Sequence, residues 1–274
     1  MRYSKYLNEH IPPFDINLEN GGDESGYIDL FYRDYVEFFT PYMIRRLKQF
    51  GKNFGDCNIL DIGCGGGPLA GAVLLYKDTN GGSGIYTGLD IRGDLIDWLQ
   101  ESYKKYDFVE FKKVIADTTV DYIEANKNAL QTVANSDGKE ADIDVQSNFY
   151  DFQWSSSVFT HLTPESCVNM LRNIVRASKK DGIHMNTWLV VDDESRYALQ
   201  AGIADRNLPF DMGEFLTYSK PNPLLCTAYK EEHMFSYYEK AGLEIIAIEK
   251  GSWRGPIYQN DALHYQDIVI SRVK

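Results

Sequence analysis

What this 274-residue chain lacks narrows it first. It has no stretch approaching the roughly 18–20 consecutive apolar residues of a membrane span. Its first residues, Met1-Arg2-Tyr3-Ser4-Lys5-Tyr6, lack the apolar run of a secretory signal. A cytoplasmic protein with no membrane partner is the expectation. Cysteine is scarce: Cys57, Cys64, Cys167 and Cys226 show no paired metal-ligand spacing, and four in so long a chain do not make a disulfide framework. Basic residues are outnumbered, 28 Lys and Arg against 40 Asp and Glu, for a net charge of −12. A face that grips nucleic-acid backbone needs clustered cations. The short runs Arg45-Arg46-Leu47-Lys48 and Lys179-Lys180 read as solvated helix faces, so no nucleic-acid partner is expected. Internal repeats and low-complexity linkers are missing as well.

What is present is a globular composition, 43% hydrophobic and rich in Tyr and Phe. Tyr27 to Phe50 reads as helix with a break before Pro41, giving an N-terminal helical extension over residues 1–50. A strand–helix alternation then begins. Asn58 to Ile62, Ile85 to Asp90, Phe108 to Ile115, Asn148 to Ser155 and Ile183 to Val191 read as strands. Leu69 to Tyr76, Asp94 to Tyr106, Thr118 to Ala134 and Pro164 to Ser178 read as helices. Pro68 opens the first of these, and Lys179-Lys180-Asp181-Gly182 stops the last. The rhythm lapses over Asp192 to Thr227, where Pro209, Pro221 and Pro223 stand among aromatics. A helix, Tyr229 to Ala241, and two closing strands, Leu243 to Glu249 and Tyr265 to Arg272, follow. Alternation of this kind implies a mostly parallel sheet covered on both faces. The last two strands have no helix between them and should pair antiparallel. The expected fold is α/β: a Rossmann-like, seven-stranded sheet with one antiparallel strand, over residues 51–274, with a lid insertion at about 192–228.

A glycine turn between strand and helix sits at the carboxyl edge of such a sheet, where ligands bind. Here it is Asp61-Ile62-Gly63-Cys64-Gly65-Gly66-Gly67. Glycines let backbone approach a ligand closely and adopt positive φ. The dinucleotide fingerprint fails at its third glycine, which is Pro68, and no Gly-Lys-Ser/Thr follows to make a phosphate loop. The stretch resembles motif I of the class I S-adenosylmethionine methyltransferases, with Asp61, Gly63, Gly65 and Gly67 matching position by position. That resemblance implies S-adenosylmethionine as cofactor. Its amino-acid end would lie on the turn, Cys64 included, and its ammonium on Asp61. Asp90 closes the next strand and, with Ile91 beside it, would hold the ribose; a carboxylate accepts from two hydroxyls at once. The Gly-rich run Asp78 to Gly84 accounts for the long spacing between them. Asp117, with Thr118, would meet the adenine amino group, and Ser155 would complete the cofactor set.

For the acceptor, Ser157-Val158-Phe159-Thr160-His161 resembles a stretch of small bacterial methyltransferases associated with polysaccharide and glycan modification, capsular polysaccharide among them. It makes His161 the candidate general base. Gly251-Ser252-Trp253-Arg254-Gly255 resembles a turn of the same group. Trp253 and Tyr218 would offer stacking faces and Arg254 an anion clamp. The expected reaction is O-methylation of a sugar or nucleotide-linked sugar, the partner being a small-molecule carbohydrate. Alternatives are N-methylation of a small amine, a nicotinamide-dependent oxidoreductase, and a binding module that has kept the fold. Asp192-Asp193-Glu194 could supply oxygen ligands for Mg or Mn, though acid runs at loop starts are usually solvated.

Overall fold

The computed structural model describes residues 10–12, 34–114, 143–259 and 261–274. The expected helix 118–134 and the part of the N-terminal extension before Asp34, His10 to Pro12 apart, lie outside the described residues. A π-helical turn, Tyr35–Phe39, runs straight into α1 (Thr40–Gln49), with helical backbone at both Phe39 and Thr40, so the break expected before Pro41 does not occur. In chain order the elements are then β1 (Ile59–Ile62), α2 (Pro68–Asn80), β2 (Tyr86–Asp90), α3 (Gly93–Tyr103), β3 (Val109–Lys113) and β4 (Tyr150–Ser155). They continue with α4 (Pro164–Ala177), β5 (Ser178–Trp188), β6 (Val190–Val191), α5 (Asp193–Gln200), β7 (Phe210–Asp211) and β8 (Phe215–Thr217). The last are β9 (Thr227–Lys230), α6 (Glu231–Ala241), β10 (Leu243–Glu249) and β11 (Asp267–Val273).

Seven strands form one sheet in the order β10-β11-β5-β4-β1-β2-β3. As expected, β11 is the reversed strand, antiparallel to both β10 and β5. This is a Rossmann-like α/β fold. The chain divides into two compact units: one holds the described residues up to Val114 with Tyr150–Phe152, the other the remaining residues through Lys274.

In the first unit β1 pairs parallel with β2, from Ile59↔Tyr86 to Ile62↔Leu89, and β2 pairs parallel with β3. All four residues of β1 are buried, as a parallel strand covered on both faces requires. The register brings the ends of β1 and β2 side by side. The backbone N–H groups of Gly63 and Cys64 both donate to the Leu89 carbonyl, at 2.7 and 2.9 Å, so the glycine turn is tied to the end of β2.

In the second unit, α4 starts at a Thr163 cap, whose hydroxyl accepts from the Ser166 N–H at 3.1 Å. It ends one residue sooner than expected, and Lys179 to Gly182 are not its stop. They lie within β5, which starts at Ser178 without a loop. The carbonyls of Arg176 and Ala177 accept from the Asn148 and Phe149 N–H groups at 2.9 Å each, so the last turn needs no left-handed glycine. The stretch read as a lapse of rhythm carries α5 and builds a second sheet in the order β6-β9-β8-β7. Its apolar filling is Leu189, Val191, Leu208, Cys226, Ala228 and Trp253.

Candidate active site

Gly63, Gly65 and Gly67 of the first unit have φ of +74°, +51° and +76°, the left-handed region that side chains avoid. A Cβ on Gly65 would project into open space, so backbone alone forms that part of the turn. Gly67 caps α2, and a Cβ there would meet Leu99 Cδ2 at 2.8 Å. Asp90 fixes the turn from the side: one carboxylate oxygen accepts from the Gly65 N–H at 2.8 Å and the other from the Arg92 N–H at 2.9 Å. The Ile91 N–H lies against the carboxylate as well, and a carboxylate has about four acceptor sites, so capacity remains for a ligand. Ile91 follows, half-buried.

Asp61 is 3% exposed. Its carboxylate accepts from the Tyr86 hydroxyl at 2.7 Å. Burial raises its pKa to about 7; the Tyr86 bond opposes the rise, and the Asp90 charge adds to it. Asp90 is raised too, by burial against the N–H bonds that favour its charge. Cys64, between them, is a buried thiol held neutral by burial and by the two acids. Arg92, the cation that acts on Asp90, is bound to Asp94 through Nε at 3.1 Å and through Nη2 at 2.5 Å. Among the described residues no side-chain cation is bonded to Asp61, so the turn presents a buried carboxylate. Tyr86 and Arg92 escaped the sequence reading; the available signal was the two-residue strand period, which places Tyr86, Gly88 and Asp90 on one face of β2. Asp117 and Thr118 lie outside the described residues.

Ser155, His161, Tyr218, Trp253 and Arg254 belong to the second unit. Ser155 is fully buried at the end of β4 and donates to Asn186 Oδ1 at 2.9 Å. After it, Ser157 holds φ +58°, a strained value for a side-chain-bearing residue, and donates its N–H to Thr187 Oγ1 at 2.8 Å. A short 3-10 turn, Phe159–His161, follows, with Phe159 stacked on Trp188 at 4.2 Å. His161 Nδ1 lies 3.0 Å from the Leu224 carbonyl, so Nδ1 carries the proton. Burial lowers the His161 pKa, the Leu224 bond opposes this, and Arg206 adds to the lowering. The ring is neutral near pH 7, with its lone pair on Nε2.

Trp253 and Arg254 depart from the expected acceptor contacts. Trp253 is 0% exposed, packs beneath the small sheet and donates its indole N–H to Asp267 at 2.9 Å. Arg254 is 2% exposed; Nε bonds Asp267 at 2.7 Å, Nη1 bonds Asp192 at 2.6 Å and Nη2 bonds the Val190 carbonyl at 3.1 Å. Stacking and clamp give way to a buried brace, because a guanidinium among carboxylates that deep is held by them. Asp267, which the sequence reading missed, also accepts from the Val190 and Gly251 N–H groups at 2.8 Å each. Gly255 has φ +117°, and a Cβ there would meet the Ile203 carbonyl at 2.5 Å. Tyr218 is exposed. Beside the brace, Arg254, Tyr197, Ile203, Pro256, Ile257 and Tyr258 line a cavity of about 400 Å³. The acids expected as metal ligands have other partners. Asp192 caps α5 and meets Arg254; Glu194 meets Lys250 at 2.5 Å and the Tyr258 hydroxyl. Among the described residues no three His, Cys, Asp or Glu stand together as metal ligands.

Residues 60–185 match the family described as "Methyltransferase domain". Three solved structures share the fold. The PH0226 protein of Pyrococcus horikoshii is 16% identical, with a TM-score of 0.54 over 100% of this chain and 99% of its own. An S-adenosylmethionine-dependent methyltransferase of Clostridium acetobutylicum is 10% identical, with a TM-score of 0.52 over 100% and 99%. The magnesium protoporphyrin IX methyltransferase of Synechocystis, which holds S-adenosylhomocysteine, is 12% identical, with a TM-score of 0.54 over the whole of both chains. The first unit's turn fits such a cofactor: bare backbone at Gly65, a carboxylate with spare lone pairs at Asp90, and a buried carboxylate lacking a bonded cation at Asp61. The family match covers residues 60–185, the fold is that of these three structures, and the turn's geometry suits the cofactor of such a domain.

Proposed function

We propose that the chain transfers a methyl group to a hydroxyl oxygen of a small acceptor, a sugar or nucleotide-linked sugar, with His161 as general base. The cofactor, when bound, supplies the methyl group on a sulfonium; Asp61, the backbone from Gly63 to Gly67, and Asp90 with Ile91 hold it, and Asp117, Thr118 and Ser155 complete the set. The observation that carries the base assignment is the bond between His161 Nδ1 and the Leu224 carbonyl, at 3.0 Å. It fixes the tautomer whose Nε2 accepts a proton, and burial keeps the ring unprotonated near pH 7. A neutral amine acceptor would need no such base. Residues 192–228 act as the acceptor-side insertion, where the exposed Tyr218 offers a face for a sugar ring.

The test is methyl transfer across a library of sugar phosphates and nucleotide sugars, followed by mass. His161→Ala should lower turnover by about 10²–10⁴-fold. It should remove the acid limb of the rate profile and leave cofactor affinity unchanged. A variant that keeps most of its turnover on the best acceptor excludes the base role and points to an amine acceptor.

A further inference from the structure

The carboxylate at the head of the glycine turn is an unusual neighbour for a cofactor's cation, because burial acts against its charge. Among the described residues three ionisable groups act around Asp61, and a fourth, Arg92, acts on Asp90 beside it. Tyr86 donates to it at 2.7 Å; Asp90 repels it; Cys64 is a neutral thiol; and Arg92 is engaged by Asp94. Among the described residues Tyr86 alone favours the ionised form through a bond. The phenol is held in place. Tyr86 is 0% exposed, sits edge-on to Phe111 with ring centres 5.7 Å apart, and shares a strand face with Asp90. Burial and the nearby acid push its own pKa far up, so it is a donor at every working pH.

We infer that Tyr86 is a positioning residue for cofactor capture: its hydrogen bond holds the Asp61 carboxylate ionised and aimed, ready for the ammonium of S-adenosylmethionine. This rests on the cofactor reading above. When Asp61 is protonated in the empty protein, binding an ammonium expels that proton to solvent and leaves an ion pair. The proton count is one released for each protonated Asp61 that binds. Affinity therefore rises with pH across the range in which Asp61 ionises. The ligand's own amine keeps its proton until about pH 8.

The test uses S-adenosylhomocysteine, which carries the same ammonium and does not react, by calorimetry on the full chain between pH 5.5 and 7.5. In wild type, affinity should climb with pH, and at pH 6.5 binding should release part of a proton, read from two buffers of different ionisation enthalpy. In Tyr86→Phe the affinity–pH curve should move up by about one unit, which is a tenfold loss at the low end. The deficit should close as pH rises. Asp61→Asn should flatten the curve and abolish proton release. A Tyr86→Phe curve identical to wild type overturns the inference, and so does a deficit equal at every pH, which marks a purely structural role. If Tyr86→Phe does not fold, 3-fluorotyrosine placed at position 86, whose phenol is a stronger donor, should move the affinity–pH curve to lower pH; an unmoved curve overturns the inference. Absence of binding by wild type at any pH fails the cofactor reading itself; binding without these pH signatures fails only the inference.

Discussion

Two turns of this molecule bury carboxylates, and they treat them in opposite ways. In the second unit, the turn from Gly251 to Gly255 supplies its own cation: Arg254 meets Asp267 and Asp192, with bonds from Trp253 and two backbone N–H groups completing Asp267. In the first unit, the turn from Gly63 to Gly67 brings Asp61 and Asp90 together with backbone donors and one phenol, while Arg92 is engaged by Asp94. A buried charge without a cation is costly, and such a group is a candidate to meet a ligand's charge. On the proposed reading the contrast separates a brace from a cofactor site, although both are glycine turns with acids beside them.

The comparison breaks most visibly at the brace. Arg254→Met keeps much of the side chain's volume and leaves Asp267 without its cation; removal of one partner of a buried pair costs about 3–5 kcal/mol. Urea denaturation of the variant measures it, and a loss well under 1 kcal/mol would deny the brace.

The first unit gives the converse. Asp61 is raised in the folded chain from 3.8 to about 7. Between those values the folded state binds more protons than the unfolded state, so this residue's contribution falls as pH rises from about 4 to about 7 and is level above. Asp61→Asn removes that slope. Without cofactor the variant should gain on wild type across this window, by at most about 4 kcal/mol. Thermal denaturation at a series of pH values reads the difference; parallel curves would show that Asp61 has a partner in the empty protein.

The same contrast explains how much the sequence disclosed. Repeated apolar strands and helical periodicity announced the sheet, and the absence of a helix between Leu243–Glu249 and the last strand announced the reversed pair. Asp61, the three glycines and Asp90 were legible because a turn's chemistry is local. The small sheet was not: β6, β7 and β8 have two or three residues each, too few to show a period. Nor were the roles of Trp253 and Arg254. An arginine in a glycine turn reads as a clamp until its acids are known; Asp192 is 62 residues away and Asp267 is hidden at the head of an apolar strand. Lys179 to Gly182 misled for the opposite reason: the local stop signal was real, but bonds from Asn148 and Phe149 had already closed the helix.

The claim beneath all of this is that Asp61 waits for a cation brought by the cofactor. S-adenosylhomocysteine and its analogue lacking the amino group, titrated into wild type and Asp61→Asn at pH 7.5, test it directly. Loss of the ammonium should weaken binding to wild type by about tenfold or more, the value of a charge-assisted bond, and should hardly matter to the variant. Equal losses in the two proteins would contradict the account.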